Sequence, residues 1–172
     1  GSVPGAGDDV IISSTVIVNL LADRACNSLT FGGSTAATLA SGTGGPFKLS
    51  ITTGNVTRSN SGAHTISCNV ELLADGTWSN SSVTNSLTVS GIISGSFSLT
   101  KSGLGTIILS NAGNSFGGAG KSISILGGIL RFSNDGHLGN ASNTITLDGG
   151  TLEASATVTI PVARTITLGT SG

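Results

Sequence analysis

Apolar residues in this chain come in short bursts. Runs at 9–12, 15–20, 28–31, 47–52, 64–73, 86–89, 97–100, 106–109, 122–126, 129–132, 144–147, 151–153, 157–160 and 165–168 alternate apolar with polar positions or are rich in β-branched residues. Most are followed within two residues by Gly, Asn, Asp or Ser. Alternation at every second residue sorts side chains onto the two faces of a strand, and those terminators make turns. No stretch sustains the i, i+3, i+4, i+7 apolar spacing of an amphipathic helix, so no substantial helix is predicted.

The strands repeat. Shifted by 22, residues 122–132 fall on 144–154: Ile123 meets Ile145, Ile125 meets Leu147, Gly127-Gly128 meets Gly149-Gly150, and Leu130 meets Leu152. Thr-Ile-Thr-Leu recurs 21 residues later as Thr165-Ile-Thr-Leu168, and Gly105-Thr-Ile-Ile-Leu109 matches Gly128-Ile-Leu-Arg-Phe132 at an offset of 23. A period of 21 to 23 that tolerates insertions predicts stacked coils, each pairing in parallel with the next at a spacing of about 4.8 Å. The chain would then be an all-β, parallel β-solenoid of about eight coils, roughly 40 Å long. It reads as a single solenoid domain over 1–172, degenerate over 1–96 and clear over 97–172. Leu99, Ile107, Leu109, Ile123, Ile125, Leu130, Ile145, Leu147, Leu152, Ile166 and Leu168 are the expected inward residues, with Gly127, Gly128, Gly149 and Gly150 at corners. A β-sandwich also has short strands and Gly-rich turns, but the eleven-position match at 22 favours the solenoid.

Composition fits that reading. Gly, Ser, Thr and Asn (27, 27, 22 and 12) make up about half of the 172 residues, as expected of tight corners and solvated pleats. Leu, Ile, Val and Phe number 47, which lifts the chain above the apolar level of disordered proteins. The net charge of −1 offers no electrostatic footprint for nucleic acid. No run approaches the 18 apolar residues of a transmembrane helix, and no signal peptide opens the chain.

Candidate chemistry is sparse. The acids are Asp8, Asp9, Asp23, Glu71, Asp75, Asp135, Asp148 and Glu153. A glycosidase or lyase on a solenoid needs carboxylates in register on one face. Asp135 is 13 residues from Asp148 and 18 from Glu153, out of register, so turn and surface roles are expected. Asp75-Gly76, Asp135-Gly136 and Asp148-Gly149 read as turn pairs, outside any calcium-binding nonapeptide repeat. His64 and His137 are far apart, no nucleophile elbow surrounds any Ser, and the Cys and His spacing is not that of a zinc site. Cys26 and Cys68 lie about two coils apart, roughly 9.6 Å if they share a column, beyond bridging distance. Two buried free thiols are the favoured reading and a disulfide the alternative, since export favours oxidation. Trp78 is expected to fill a coil interior rather than stack on a sugar. The sequons at Asn55, Asn80 and Asn140 are no more than composition supplies.

One stretch carries a resemblance. Ser98-Leu-Thr-Lys-Ser-Gly-Leu-Gly-Thr-Ile-Ile-Leu-Ser-Asn-Ala-Gly-Asn-Ser-Phe-Gly-Gly118, followed by 122–132, resembles the passenger-associated repeat of bacterial autotransporters. Leu99, Lys101, Gly103, Gly105, Thr106, Leu109, Ser110, Asn114, Phe116, Gly117, Gly118, Gly127, Gly128 and Leu130 fill that pattern. The motif covers about 35 residues, with weaker similarity elsewhere. Ala119-Gly120-Lys121 departs from the Thr that often follows the Gly-Gly pair, and the family's outer-membrane barrel is missing. An excised passenger piece or a free-standing secreted relative is therefore expected. The resemblance implies a right-handed parallel β-helix exported to the bacterial surface.

The resulting expectation is a non-enzymatic structural solenoid without cofactor or metal. It would act as stalk, adhesive surface or head-to-tail fibre subunit, the last because strand-like ends expose open β-edges. Its expected partners are further copies of itself, head to tail, with a glycan or host surface as the alternative; no nucleic acid is expected, and no transmembrane segment in this chain. A glycan- or host-binding module and a polysaccharide-acting enzyme are the alternative functions.

Overall fold

The computed structural model describes residues 3–171. The first coil contains β1 (Asp9–Ile12), β2 (Ile17–Leu20) and β3 (Arg24–Cys26). The second is β4 (Ser28–Phe31), β5 (Thr38–Ser41) and β6 (Lys48–Ile51); the third is β7 (Val56–Arg58), β8 (His64–Ile66) and β9 (Asn69–Leu72). The fourth is β10 (Gly76–Asn80), β11 (Leu87–Val89) and β12 (Ile93–Ser94). Coils five to seven carry two strands each: β13 (Leu99–Ser102) with β14 (Thr106–Leu109), β15 (Ser122–Ile125) with β16 (Ile129–Phe132), and β17 (Thr144–Leu147) with β18 (Thr151–Ala154). A 3₁₀ turn, Asp135–Leu138, follows β16, and β19 (Ile166–Leu168) begins an eighth coil.

Among the described residues the strands form three parallel sheets; two run the length of the stack and the third spans the first four coils. The first is ordered β1-β4-β7-β10-β13-β15-β17-β19, the second β18-β16-β14-β11-β8-β5-β2 and the third β12-β9-β6-β3. The order skips by coil because each strand pairs only with its counterparts above and below. The 22-residue match is the physical register: Ile123 faces Ile145, Ile125 faces Leu147 and Leu130 faces Leu152. Ile107 likewise faces Leu130 across the 23-residue offset. The chain is thus an all-β parallel solenoid of seven coils and the first strand of another.

Burial alternates along the strands, and one apolar cluster threads the coils from Ile12 to Ile145. Leu99, Ile107, Leu109, Ile123, Ile125, Leu130 and Ile145 are buried, and Leu147 and Leu152 pack against them half-buried. Ile166 and Leu168 differ from expectation: they are 44 % and 72 % exposed. They point along the inward column, but β19 is the last described strand and no coil covers it. Gly128 (φ 62°) and Gly149 (φ 96°) adopt the left-handed corner conformation that a side chain disfavours. Gly150 serves by close approach instead, since a Cβ there would meet Gly127 and Ile125.

Two expectations about strands change. The run at 64–73 is broken by a corner at Ser67-Cys68 into β8 and β9, and residues 157–160 form no strand. Conversely, β7 and β10 lack an apolar alternation because Arg58 and Asn80 occupy inward positions. Those buried polar residues, together with the unpredicted short strands β3, β5 and β12, make the N-terminal half read as degenerate. The alternation has a direct test. Ile123→Ala should cost about 2–5 kcal/mol, and the adjacent outward Ser124→Ala less than about 0.5 kcal/mol, both measured by urea unfolding. Equal costs would contradict the inward and outward assignment.

Candidate functional site

The side chains that could carry chemistry divide into those inside the tube and those on its walls. Inside, the inward column Val56–Trp78–Lys101–Ile125 changes chemistry from one coil to the next. Lys101 is fully buried, and its Nζ donates to the carbonyl oxygens of Ser102 (2.7 Å), Gly103 (2.8 Å) and Gly127 (2.9 Å). Burial pushes its ammonium down from 10.5 to about 8. One coil earlier, Trp78 is equally buried and donates from Nε1 to the Gly54 carbonyl at 3.0 Å. Corners turn backbone carbonyls into the tube, where no strand partner reaches them, and these side chains cap them.

Arg58 does the same on the next inward column. Its guanidinium donates to the carbonyls of Gly62 and Asn85 and to the Asn80 side chain. Asn80 in turn donates to the Asn85 (3.1 Å) and Thr106 (2.7 Å) carbonyls. Asn114 accepts from the Ile93 N–H (2.8 Å) and donates to the His137 carbonyl (2.8 Å), bridging three coils. Asn143 accepts from the Gly118 N–H and donates to the Phe116 and Leu138 carbonyls. Each therefore ties backbone of one coil to backbone of another.

The acids have partners too. Asp9 Oδ1 accepts from Asn27 and Ser28, Asp23 from the Lys48 N–H, and Glu71 from Ser50 and Lys48. Asp75 accepts from the Ser98 N–H (2.7 Å) and pairs with Lys121 (3.2 Å). Glu153 takes both oxygens' bonds from Arg131 in the coil below, and Asp148 accepts from the Ser171 N–H. Asp135 is held by Arg164, and Asp8 closes a local turn with Gly5. Apart from Asp8, these bonds link one coil to another, neighbouring in every case but Asp75–Lys121, which reaches two coils on. Among the described residues no group of three His, Cys, Asp or Glu side chains could share a metal ion.

The histidines and cysteines are interior. His64 stacks on Phe31 with ring centroids 4.8 Å apart; Nδ1 accepts from the Ala37 N–H and Nε2 faces the Asn60 side-chain oxygen. Burial is the main cause that lowers His64 and His137 from 6.5. Cys26 and Cys68 are both buried free thiols. They do not share a column: Cys26 stacks on Ile51 and then Leu72, whereas Cys68 lies at the corner before β9. Burial raises them from 9.0 to about 11 and about 12. Of the sequons, Asn80 is buried, Asn55 half-buried and Asn140 exposed.

Lys101 shares the inward face with Leu99 and Arg58 with Val56, but neither was legible as inward in the sequence: both are charged, and the carbonyls that satisfy them belong to corners. The motif residues around them are similarly structural. Phe116 is buried, and a Cβ on Gly117 (φ 87°) would overlap the Asn143 side chain. An apolar cleft of about 320 Å³ lies at the first coil, lined by Val10, Val18, Leu20, Leu39 and Leu49 among others.

No family model matches the chain, and no solved structure matches it. It is similar to the adhesin BmaC autotransporter of Brucella suis biovar 1 (strain 1330), with 37 % identity over 71 residues. That stretch is 41 % of this chain and 2 % of the adhesin, so the chain spans a small fraction of that relative. The similarity and the parallel solenoid agree with the resemblance to autotransporter passenger repeats. No described helix is long and apolar enough to cross a membrane.

The buried titrating groups set a pH profile. Between pH 8 and 10.5 the unfolded chain holds a lysine proton that folded Lys101 releases, so stability rises with pH there. Above pH 9 the unfolded thiols ionise while folded Cys26 and Cys68 stay protonated, so stability falls. Two thiols outweigh one lysine. Below pH 6.5 the unfolded histidines bind protons that the folded ones resist, so stability falls again. From pH 8 to 9 Lys101 alone adds about 1 kcal/mol and the thiols, half ionised in the unfolded chain at pH 9, offset most of it, so the unfolding free energy measured with urea should climb only slightly and drop beyond. Lys101→Met should turn that slight climb into a fall; an unchanged profile would show that Lys101 is not its source.

Proposed function

We propose that this chain is a non-enzymatic coil segment of an exported bacterial surface adhesin, serving as a rigid stalk that displays adhesive surface. The observation that carries the reading is the use of the polar side chains. Inside, they cap corner carbonyls; outside, nearly every acid fastens one coil to another. The similarity to an autotransporter adhesin supports the same role.

The mechanism is mechanical. Each coil adds about 4.8 Å of rise, held by parallel backbone bonds along two walls, with a third over the first four coils, and by an apolar filling. Force along the axis loads many bonds in each coil interface together, so the rod resists extension without a cofactor. The outer pleats of the first wall carry the hydroxyl column Thr77–Thr100–Ser124–Thr146–Thr167, polar but nearly uncharged. Such a wall suits a spacer and offers neutral hydrogen-bonding area to a glycan or host protein.

A second reading, head-to-tail stacking of copies, is favoured by the two ends. The apolar cleft lies at the first coil, and Ile166 and Leu168 are exposed at the last. Either the adjoining coils of a longer chain or another copy would cover them.

Negative-stain electron microscopy of the 172-residue chain at several concentrations separates these readings. The stalk reading expects isolated rods about 4 nm long, unchanged by concentration. Uniform fibres many times longer would replace it with head-to-tail assembly. Compact particles without an elongated axis would overturn both.

A further inference from the structure

We infer that Arg164 sets the register in which β19 docks on β17, by locking into a preformed site on the sixth coil. β19 reaches β17 from residues 155–165, a connection without a strand and without a left-handed glycine. Turn geometry therefore leaves the register open. The strand's own pattern is equally permissive. Ile145 faces Ile166 and Leu147 faces Leu168. A slip of two residues keeps the same face inward and still stacks one aliphatic pair, Ile166 on Leu147 or Leu168 on Ile145.

Arg164 discriminates strongly. Its side chain is fully buried, two residues before the strand. Nε donates to Asp135 Oδ1 at 2.7 Å and Nη2 to Asp135 Oδ2 at 3.1 Å. The same guanidinium donates to the carbonyls of Leu138 (3.3 Å), Gly139 (3.2 Å) and Asp135 (3.4 Å). The acceptors are prepared independently of Arg164. Asn134 caps the 3₁₀ turn by accepting from the Gly136 N–H, and Gly139 closes it by donating to the Gly136 carbonyl. A two-residue slip moves Arg164 by about 6.6 Å, which breaks every one of these bonds and strands a buried cation. The remaining side-chain tie beyond the strand, Asp148 with the Ser171 N–H, is exposed and readily exchanged for water.

Cysteine cross-linking reads the register directly. Thr146 and Thr167 face each other, at a strand spacing that a disulfide spans. Thr146 and Thr165 are diagonal, about 8 Å apart, beyond the roughly 7 Å limit; a forward slip of two makes them face. Thr144 and Thr167 report the opposite slip. With Arg164 present, oxidation should link only the 146–167 cysteine pair. In Arg164→Met, which keeps the apolar stem, a diagonal pair should gain cross-linking by about tenfold or more. Arg164→Lys, which lacks the planar fork, should fall between. If Arg164→Met still links only 146–167, the register does not depend on Arg164. If no pair links, β19 has detached and Arg164 is a tether rather than a register key. Either result overturns the inference.

Discussion

Everything in this molecule depends on parallel pairing between coils. A four-residue strand has no partner within its own coil, so its backbone groups are satisfied only by the coils above and below. That places like positions over like positions at a fixed spacing. It explains why aliphatic residues recur in columns and why Ser and Thr line the outer pleats. It also explains why the insertions between β4 and β7 are tolerated: they swell a corner without disturbing a ladder.

Pairing creates a second requirement at the corners. Where the chain bends between walls, the ladder is interrupted and some carbonyls point into an apolar tube. An unpaired buried carbonyl costs about 1–3 kcal/mol, and water has little room inside a filled coil. Long inward side chains answer this. Lys101, Trp78, Arg58, Asn80, Asn114 and Asn143 all reach corner or inter-coil backbone. Lys101 meets only neutral acceptors, and the desolvation of its ammonium shows in its lowered proton affinity.

The same economy bears on function. Residues that elsewhere do acid–base or metal chemistry are here committed to holding one coil on the next, on the outer wall as well as within. A rod assembled this way can be lengthened by adding coils, because each interface is local. Its length and its outer pleats are then the properties available for selection, which is consistent with the likeness to part of a large surface adhesin.

The period was legible because stacking demands it. Ile123, Ile125 and Leu130 found their partners at 22 residues from the sequence alone, and the structure pairs the same residues. The sequence also determined the all-β class, the alternation of faces and several corner glycines, since each follows from local backbone preference and side-chain period. Other features waited for the tertiary structure. Strands β7 and β10 were hidden because each carries a polar residue, Arg58 or Asn80, at an inward position, and polarity there is explained only by a carbonyl supplied from another coil. Cys26 and Cys68 could be placed two coils apart but not in different columns, because corner insertions shift the register without leaving a trace in the apolar pattern. Ile166 and Leu168 have inward residue types and inward phase, yet they are exposed, because burial depends on a neighbouring coil and not on the strand itself. Local preference decides what each coil can be; only the stack decides what each coil touches.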